Sequence, residues 1–252
     1  MIELKNLSAG YDEEPVIEDV NTSFEPGKLT LILGRNGSGK STLLKTMMGV
    51  LEPVQGTVEV DHQDLDSMNT LERAGKMSAV LQNQNPLSMS VFQYVLHGRF
   101  HRLKWPRKYS EEDRKEAWKA LEKMGIEHLA DAGMDEISGG ERQKAALAQA
   151  LCQNGEILFL DEPAAYLDAS SQFDLYKKAR DLAHQENRTV IMVSHDLPTA
   201  LEYADEVRIL NGRHLVFSGT PEEFVASNLA KKVFGLNIIE KQIEGRKRYL
   251  YS

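Results

Sequence analysis

Apolar and polar positions alternate at the start of the chain. Ile2-Glu3-Leu4-Lys5-Asn6-Leu7 has the period of a half-buried strand, and Val16 to Phe24 predicts a second one. Glu25-Pro26-Gly27 then signals a turn. Leu29-Thr30-Leu31-Ile32-Leu33 differs in kind: it is a short apolar run bounded by glycine, as in a strand buried on both faces. A helix follows and stops near Gly49. Thr57 to Val60 and Met77 to Leu81 predict further strands. Residues 111–125 place Ala117, Leu121 and Met124 at helical spacing in a charged background, and residues 141–152 predict the strongest helix. Beyond them the pattern predicts a strand (157–160), a helix (170–186), a strand (189–193), a short helix (198–204) and a strand (206–210). Thr220-Pro221-Glu222-Glu223 starts another helix, with a capping threonine and proline in the first helical position. The tail after Gly235 is basic at Arg246, Lys247 and Arg248 and shows no clear period.

Strands alternating with helices specify an α/β fold with a mostly parallel, covered sheet. The strand-rich start predicts an added antiparallel layer. The chain shows no internal repeat.

Composition narrows the function. The 252 residues are ample for a buried core, and 41% apolar with 27% charged residues indicates a folded chain rather than a disordered one. An excess of 38 acidic over 30 basic residues, net -8, disfavours a broad grip on nucleic acid. Cys152 is the lone cysteine, which excludes an internal disulfide and a cysteine metal cluster and suits a reducing compartment. Apolar runs such as Ile157 to Leu160 are strand-length, far short of the roughly 20 residues of a spanning helix. Met1-Ile2-Glu3-Leu4-Lys5 carries no secretory pattern. Any membrane role is therefore expected to be peripheral, through a partner.

Three segments carry chemistry. Gly34-Arg35-Asn36-Gly37-Ser38-Gly39-Lys40-Ser41-Thr42 fits G-x-x-x-x-G-K-[ST], directly after a buried strand and opening a helix. Its glycines let backbone N–H groups approach a phosphate, and the helix N-terminus adds a positive dipole end. Lys40 supplies a mobile charge for the outer phosphates, and the Ser41 hydroxyl can ligate Mg²⁺. Second, the strand at 157–160 ends in Asp161-Glu162, where open α/β sheets bind ligands. Asp161 is expected to hold Mg²⁺ and Glu162 to position or deprotonate an attacking water. Third, Ile137-Ser138-Gly139-Gly140-Glu141 opens the strongest helix. Ser138 and Glu141 have capping-box spacing, but two glycines in a first turn cost roughly 1 kcal/mol each against alanine. Their presence predicts exposed N–H groups for a second anion.

Phosphate loop, Ser-Gly-Gly-Glu and acidic strand end, in that order, resemble the ATP-binding cassette ATPases from Tyr11 to about Gly219. The resemblance implies a P-loop NTPase fold with a mostly parallel core sheet, an antiparallel β layer and a helical subdomain. It implies one cassette over residues 1–252: a RecA-like core in 1–81 and 155–220, a helical subdomain in 83–150 and an extension in 221–252. Tyr11 resembles the aromatic residue stacked on adenine. Gln82 resembles the glutamine that touches Mg²⁺ and the attacking water and senses the membrane partner. Ala165-Tyr166-Leu167-Asp168 resembles the loop whose aspartate crosses a dimer interface, and His195 resembles the histidine at the γ-phosphate. Ile137 and Glu141 depart from the usual Leu-Ser-Gly-Gly-Gln, and Ala164 and Ala165 replace a more usual threonine and serine. None of these changes removes a phosphate or metal ligand.

The implied mechanism is a homodimer closing head to tail on two ATP molecules with Mg²⁺. Lys40, Ser41, Gln82, Asp161, Glu162 and His195 of one subunit would face Ser138, Gly139 and Gly140 of the other. The segment from Ser90 to Arg102, with its Val…Gly-Arg-aromatic pattern, resembles cassettes of iron-siderophore, haem and cobalamin importers and is expected to meet a permease. An external binding protein would be an indirect partner, and the cassette would lie at the cytoplasmic face of the membrane. His97 and His101 have metal-ligand spacing at i, i+4 but lack a third ligand, so a partner-facing helix is the better reading. Another cargo, an exporter, a soluble mechanochemical cassette or a nucleotide-binding module without catalysis remain as alternatives. Intact Glu162 and His195 argue against the last.

Overall fold

A computed structural model describes residues 1–82, 88–164, 167–243 and 246–251. In chain order the strands are β1 (Ile2–Tyr11), β2 (Glu14–Phe24), β3 (Leu29–Gly34), β4 (Pro53–Val60), β5 (Gln63–Asp64), β6 (Met77–Val80), β7 (Ile157–Asp161), β8 (Thr189–Val193), β9 (Glu206–Asn211), β10 (His214–Gly219), β11 (Ile238–Ile243) and β12 (Arg246–Tyr251). The helices are α1 (Lys40–Met47), α2 (Thr70–Lys76), α3 (Val91–Leu96), α4 (Glu111–Met124), α5 (Gly139–Gln153), α6 (Ala169–Glu186), α7 (Leu197–Tyr203), α8 (Pro221–Ala226) and α9 (Leu229–Phe234). The chain divides into two compact units, 1–68 with 173–252, and 69–172.

The first unit holds the antiparallel layer and a parallel core. Strands order as β2-β1-β4-β5, all antiparallel. Ile2, Leu4, Leu7, Ile17, Val20, Phe24, Val58 and Val60 form its buried face. β3 pairs in parallel with both β8 and β9, and β10 returns antiparallel to β9. Every residue of β3 and β8 is buried, which is why both read as continuous apolar runs. Arg208, 4% exposed, ties the two sheets together. Its Nε donates to Thr22 Oγ1 (2.7 Å), its Nη2 donates to Ser23 O and to Glu206 Oε2 (2.7 Å each), and its guanidinium lies over the Phe24 ring.

The second unit packs α3, α4 and α5 around Val91, Val95, Ala117, Leu121, Ala145 and Ala148, beside the parallel pair β6 and β7. Arg99, 4% exposed, lies among these helices. Its Nε donates to Asp113 Oδ1 (3.0 Å) and its Nη1 to Cys152 O (3.2 Å). Ser110 donates from both N and Oγ to the other Asp113 oxygen, so the buried carboxylate is fully engaged.

The expected parallel core and antiparallel layer are both present. Five element groups escaped the apolar pattern: β5, α2, β10, α9 and the β11–β12 hairpin. α2 buries none of its residues and stands on the Asn69–Glu72 capping box instead. β11 exposes five of its six residues, so no alternation marks it. Among the described residues no helix is long and apolar enough to cross a membrane.

Candidate functional site

In the first unit, β3 delivers the chain into the phosphate loop at the C-terminal edge of the parallel strands, where such sheets bind ligands. Gly37 and Gly39 have φ of +78° and +89°, in the left-handed region. A Cβ on Gly39 would also overlap Ile17 Cγ2, so backbone conformation and packing both require glycine there. Lys40 is buried, and its Nζ donates to Gly34 O (3.0 Å) and Arg35 O (3.2 Å), which holds the ammonium over its own loop. Ser38 Oγ is buried without a hydrogen-bond partner. A buried loop hydroxyl with no partner among the described residues fits an anion that supplies the missing partner. α1 begins with no side-chain cap, so the same anion would meet its N-terminus. Ser41 and Thr42 lie in its first turn.

Tyr11, half exposed, lines a cavity of about 690 Å³ together with Gly37 of the phosphate loop. An aromatic face and the phosphate loop thus share one cavity, as a nucleotide requires. Asp12, Glu14 and Arg213 line it as well, and sequence reasoning did not anticipate them. Arg213 arrives from the β9–β10 turn, about 200 residues from Tyr11, and is aligned by donating to Glu18 Oε1 (2.8 Å). Its backbone oxygen accepts from Glu18 N (2.7 Å), so the turn is fastened to β2.

His195 is exposed two residues past Val193, the last residue of β8. Val193 pairs with Ile32 of β3, and Gly34 lies two residues past Ile32. His195 and the start of the phosphate loop therefore share one edge of the parallel strands.

In the second unit the same register logic holds. Val80 of β6 pairs with Leu160 of β7, and Gln82 and Glu162 each follow two residues later. Gln82 Nε2 donates to Glu162 Oε2 at 2.9 Å. Glu162 has φ +48°, uncommon for a residue with a Cβ, so the chain holds this carboxylate in a strained turn. Asp161, one residue earlier, is buried at the end of β7. The two acids thus differ sharply: one is enclosed, while the other is aimed at a glutamine.

Ser138 caps α5 as its spacing predicted. Its Oγ accepts from Glu141 N (3.3 Å), and Glu141 Oε2 accepts from Ser138 N (2.8 Å) and Oγ (2.6 Å). These Ser138 bonds hold the Glu141 carboxyl below its ordinary value. Gly139 and Gly140 form the first turn. Asp168 accepts from Ser171 N (2.9 Å) and Oγ (3.1 Å), which secures the start of α6 and lowers its own carboxyl pKa. Of the loop before it, Ala165 and Tyr166 lie outside the described residues, as do 83–87 after Gln82. His101 Nδ1 faces Gly98 O at 3.1 Å, so its ring serves the turn after α3.

The ABC transporter family model matches residues 17–165. The petrobactin import ATP-binding protein FpuD of Bacillus anthracis is 36% identical over 234 residues, covering 92% of this chain and 86% of its own. The ferric enterobactin transport ATP-binding protein FepC of Escherichia coli is 34% identical over 244 residues, covering 96% and 90%. Among solved structures, a metal-chelate type ABC transporter in an inward-facing conformation superposes with a TM-score of 0.85 at 26% identity, covering 100% of this chain and 97% of that one. A dimeric ATP-binding cassette in a post-hydrolysis state with ADP and Pi gives 0.78 at 27% identity, covering 88% and 99%. The chain belongs to the ABC transporter family as an ATP-binding, ATP-hydrolysing cassette.

Proposed function

We propose that this cassette is the ATP-hydrolysing subunit of a membrane importer for a metal chelate of the iron-siderophore, haem or cobalamin type. For hydrolysis, the carrying observation is the Gln82–Glu162 hydrogen bond at the ends of paired strands. A partly exposed carboxylate aligned by an amide is the arrangement a water-positioning base needs. For cargo, support comes from relatives that import petrobactin and ferric enterobactin and match over nine-tenths of the chain.

In this reading Tyr11 stacks on adenine, and residues 34–42 hold the phosphates. Ser41, Gln82 and Asp161 offer a hydroxyl, an amide oxygen and a carboxylate, all hard oxygen donors of the kind Mg²⁺ takes. Bound Mg²⁺ would neutralise phosphate charge. Lys40 leaves its loop carbonyls for the β- and γ-phosphates, Glu162 orients the water, and His195 meets the γ-phosphate. Ser138, Gly139, Gly140, Glu141 and Asp168 serve the partner cassette's nucleotide in a head-to-tail homodimer. Residues 1–81 and 155–220 act as the core, 83–150 as the helical subdomain and 221–252 as an extension. The segment after Gln82 meets the permease at the cytoplasmic face, and an external binding protein delivers cargo.

Glu162→Gln tests the catalytic assignment. The variant is expected to bind ATP, accumulate as a closed dimer and lose steady-state phosphate release by about a hundredfold or more. Wild-type turnover in that variant would sink the assignment. Co-purification of the membrane subunit, followed by uptake assays with candidate chelates, tests the cargo.

A further inference from the structure

We propose that the loop linking α3 to α4 is a contact surface for anionic lipid headgroups, with Trp105 as its interfacial anchor. The inference rests on the reading of this chain as a membrane-associated cassette, and it adds a partner that reading does not contain.

Charge is the first observation. Residues 98–109 hold Arg99, Arg102, Lys104, Arg107 and Lys108 and no acid, in a chain of net charge -8. Arg99 is buried on Asp113 and on the Cys152 carbonyl, so it anchors the segment from within. The other four are exposed, and none forms an ion pair among the described residues. Some exposed cations elsewhere on this acidic protein do pair, as Lys5 with Glu59, Arg213 with Glu18 and Lys247 with Glu222, so what marks this loop is the clustering of its cations without an acid. Glu111 and Glu112 follow only at the first turn of α4, where they favour the helix dipole.

Exposure is the second. Trp105 is 91% exposed, the most exposed large apolar side chain described. Trp118, by contrast, is partly covered by Phe92, with ring centroids 5.2 Å apart. Arg107 lies over the half-exposed Phe100 ring at 5.2 Å, which keeps a cation beside an aromatic surface. An uncovered indole among unpaired cations matches a bilayer interface. There the ring lies at headgroup depth while Lys and Arg reach lipid phosphates. A protein partner would need a dry pocket for the indole and acids for four cations. A bilayer with anionic lipid supplies both without a fixed shape.

The test uses the full-length protein and sedimentation with phosphatidylcholine vesicles, with or without phosphatidylglycerol. Wild type is expected to partition about tenfold more onto the anionic vesicles, and added salt should erase the difference. Replacing Lys104, Arg107 and Lys108 together by Gln should abolish most of the preference, and Trp105→Ala should reduce it several-fold. Tryptophan emission should shift to the blue on anionic vesicles in wild type and not in Trp105→Phe, which retains Trp118. ATP hydrolysis should be unchanged in all these variants, which separates this inference from the cassette assignment. Equal partition onto both vesicles by wild type, or undiminished binding by the triple variant, overturns the proposal. So does a result in which the variants lose only co-purification with the permease, because the surface would then be a protein dock.

Discussion

The phosphate loop and the Ser138-Gly139-Gly140 turn are both glycine-rich helix starts, yet they are built in opposite ways. In the phosphate loop the fold itself requires glycine: Gly39 stands at φ +89° with Ile17 packed where a Cβ would go. Ser38 Oγ has no hydrogen-bond partner among the described residues, while Lys40 is held on the carbonyls of its own loop. In the α5 turn the polar side chains are fully occupied by a capping box. Among the described residues, a Cβ on Gly140 would meet nothing closer than Leu167 Cδ2 at 3.4 Å, an ordinary contact. No internal demand keeps glycine there, and a helix interior prefers alanine by roughly 1 kcal/mol. The first site requires glycine for its own backbone path and packing, whatever ligand it receives. The second is relaxed, and its glycine makes sense only if something outside the chain approaches its backbone.

That contrast predicts different responses to one added methyl group. Gly140→Ala should leave the fold and ATP binding intact, with Tm unchanged or a few degrees higher, while ATP turnover falls about a hundredfold. Calorimetry beside a phosphate-release assay reads both quantities. Wild-type turnover would mean that nothing meets this turn. Gly39→Ala should do the reverse at its first step: ATP binding weakens at least about tenfold and Tm falls, because alanine must enter a left-handed conformation and displace Ile17. Titration with a fluorescent ATP analogue checks it, and unchanged affinity would show that the loop is not strained.

The buried ion pair of the second unit acts on stability alone. Arg99→Ala would leave Asp113 buried with Ser110 as its main partner, at a cost of about 3–5 kcal/mol. Thermal unfolding should register a loss of roughly 10 °C. A Tm within a degree or two of wild type would show the pair to be dispensable.

Legibility in the sequence follows the same division. Asp161-Glu162 is readable because it closes an apolar run, whereas the meeting of Gln82 with Glu162 follows from the pairing of β6 with β7, which the local pattern does not give. The capping box was readable because Ser138 and Glu141 are three apart. What required the fold were contacts between distant segments. Arg213 reaches the Tyr11 cavity from a turn that hydrophobic spacing does not distinguish from any other. Arg99 and Asp113 look like solvated charges until their burial on each other is known. Neither local pattern nor residue type encodes which charge finds a partner.

The smallest expected effect sharpens the reading of Glu141, where the family usually has glutamine. The two Ser138 bonds depress its folded carboxyl pKa below the ordinary value. A depressed carboxyl contributes stability above its unfolded pKa, and loses that contribution as pH falls through the folded pKa. The capping box should therefore weaken only on the acid side, below the ordinary carboxylate range. Glu141→Gln keeps an acceptor oxygen for the Ser138 N–H but cannot titrate, so Tm should match wild type within about two degrees at neutral pH. On acidification the wild-type Tm should fall slightly faster than that of the variant, because the exposed carboxyl is largely screened. If the two Tm curves run parallel down to acid pH, the bonds to Ser138 contribute nothing that depends on charge. The glutamate would then be equivalent to the family's glutamine in folding as well as in sequence position.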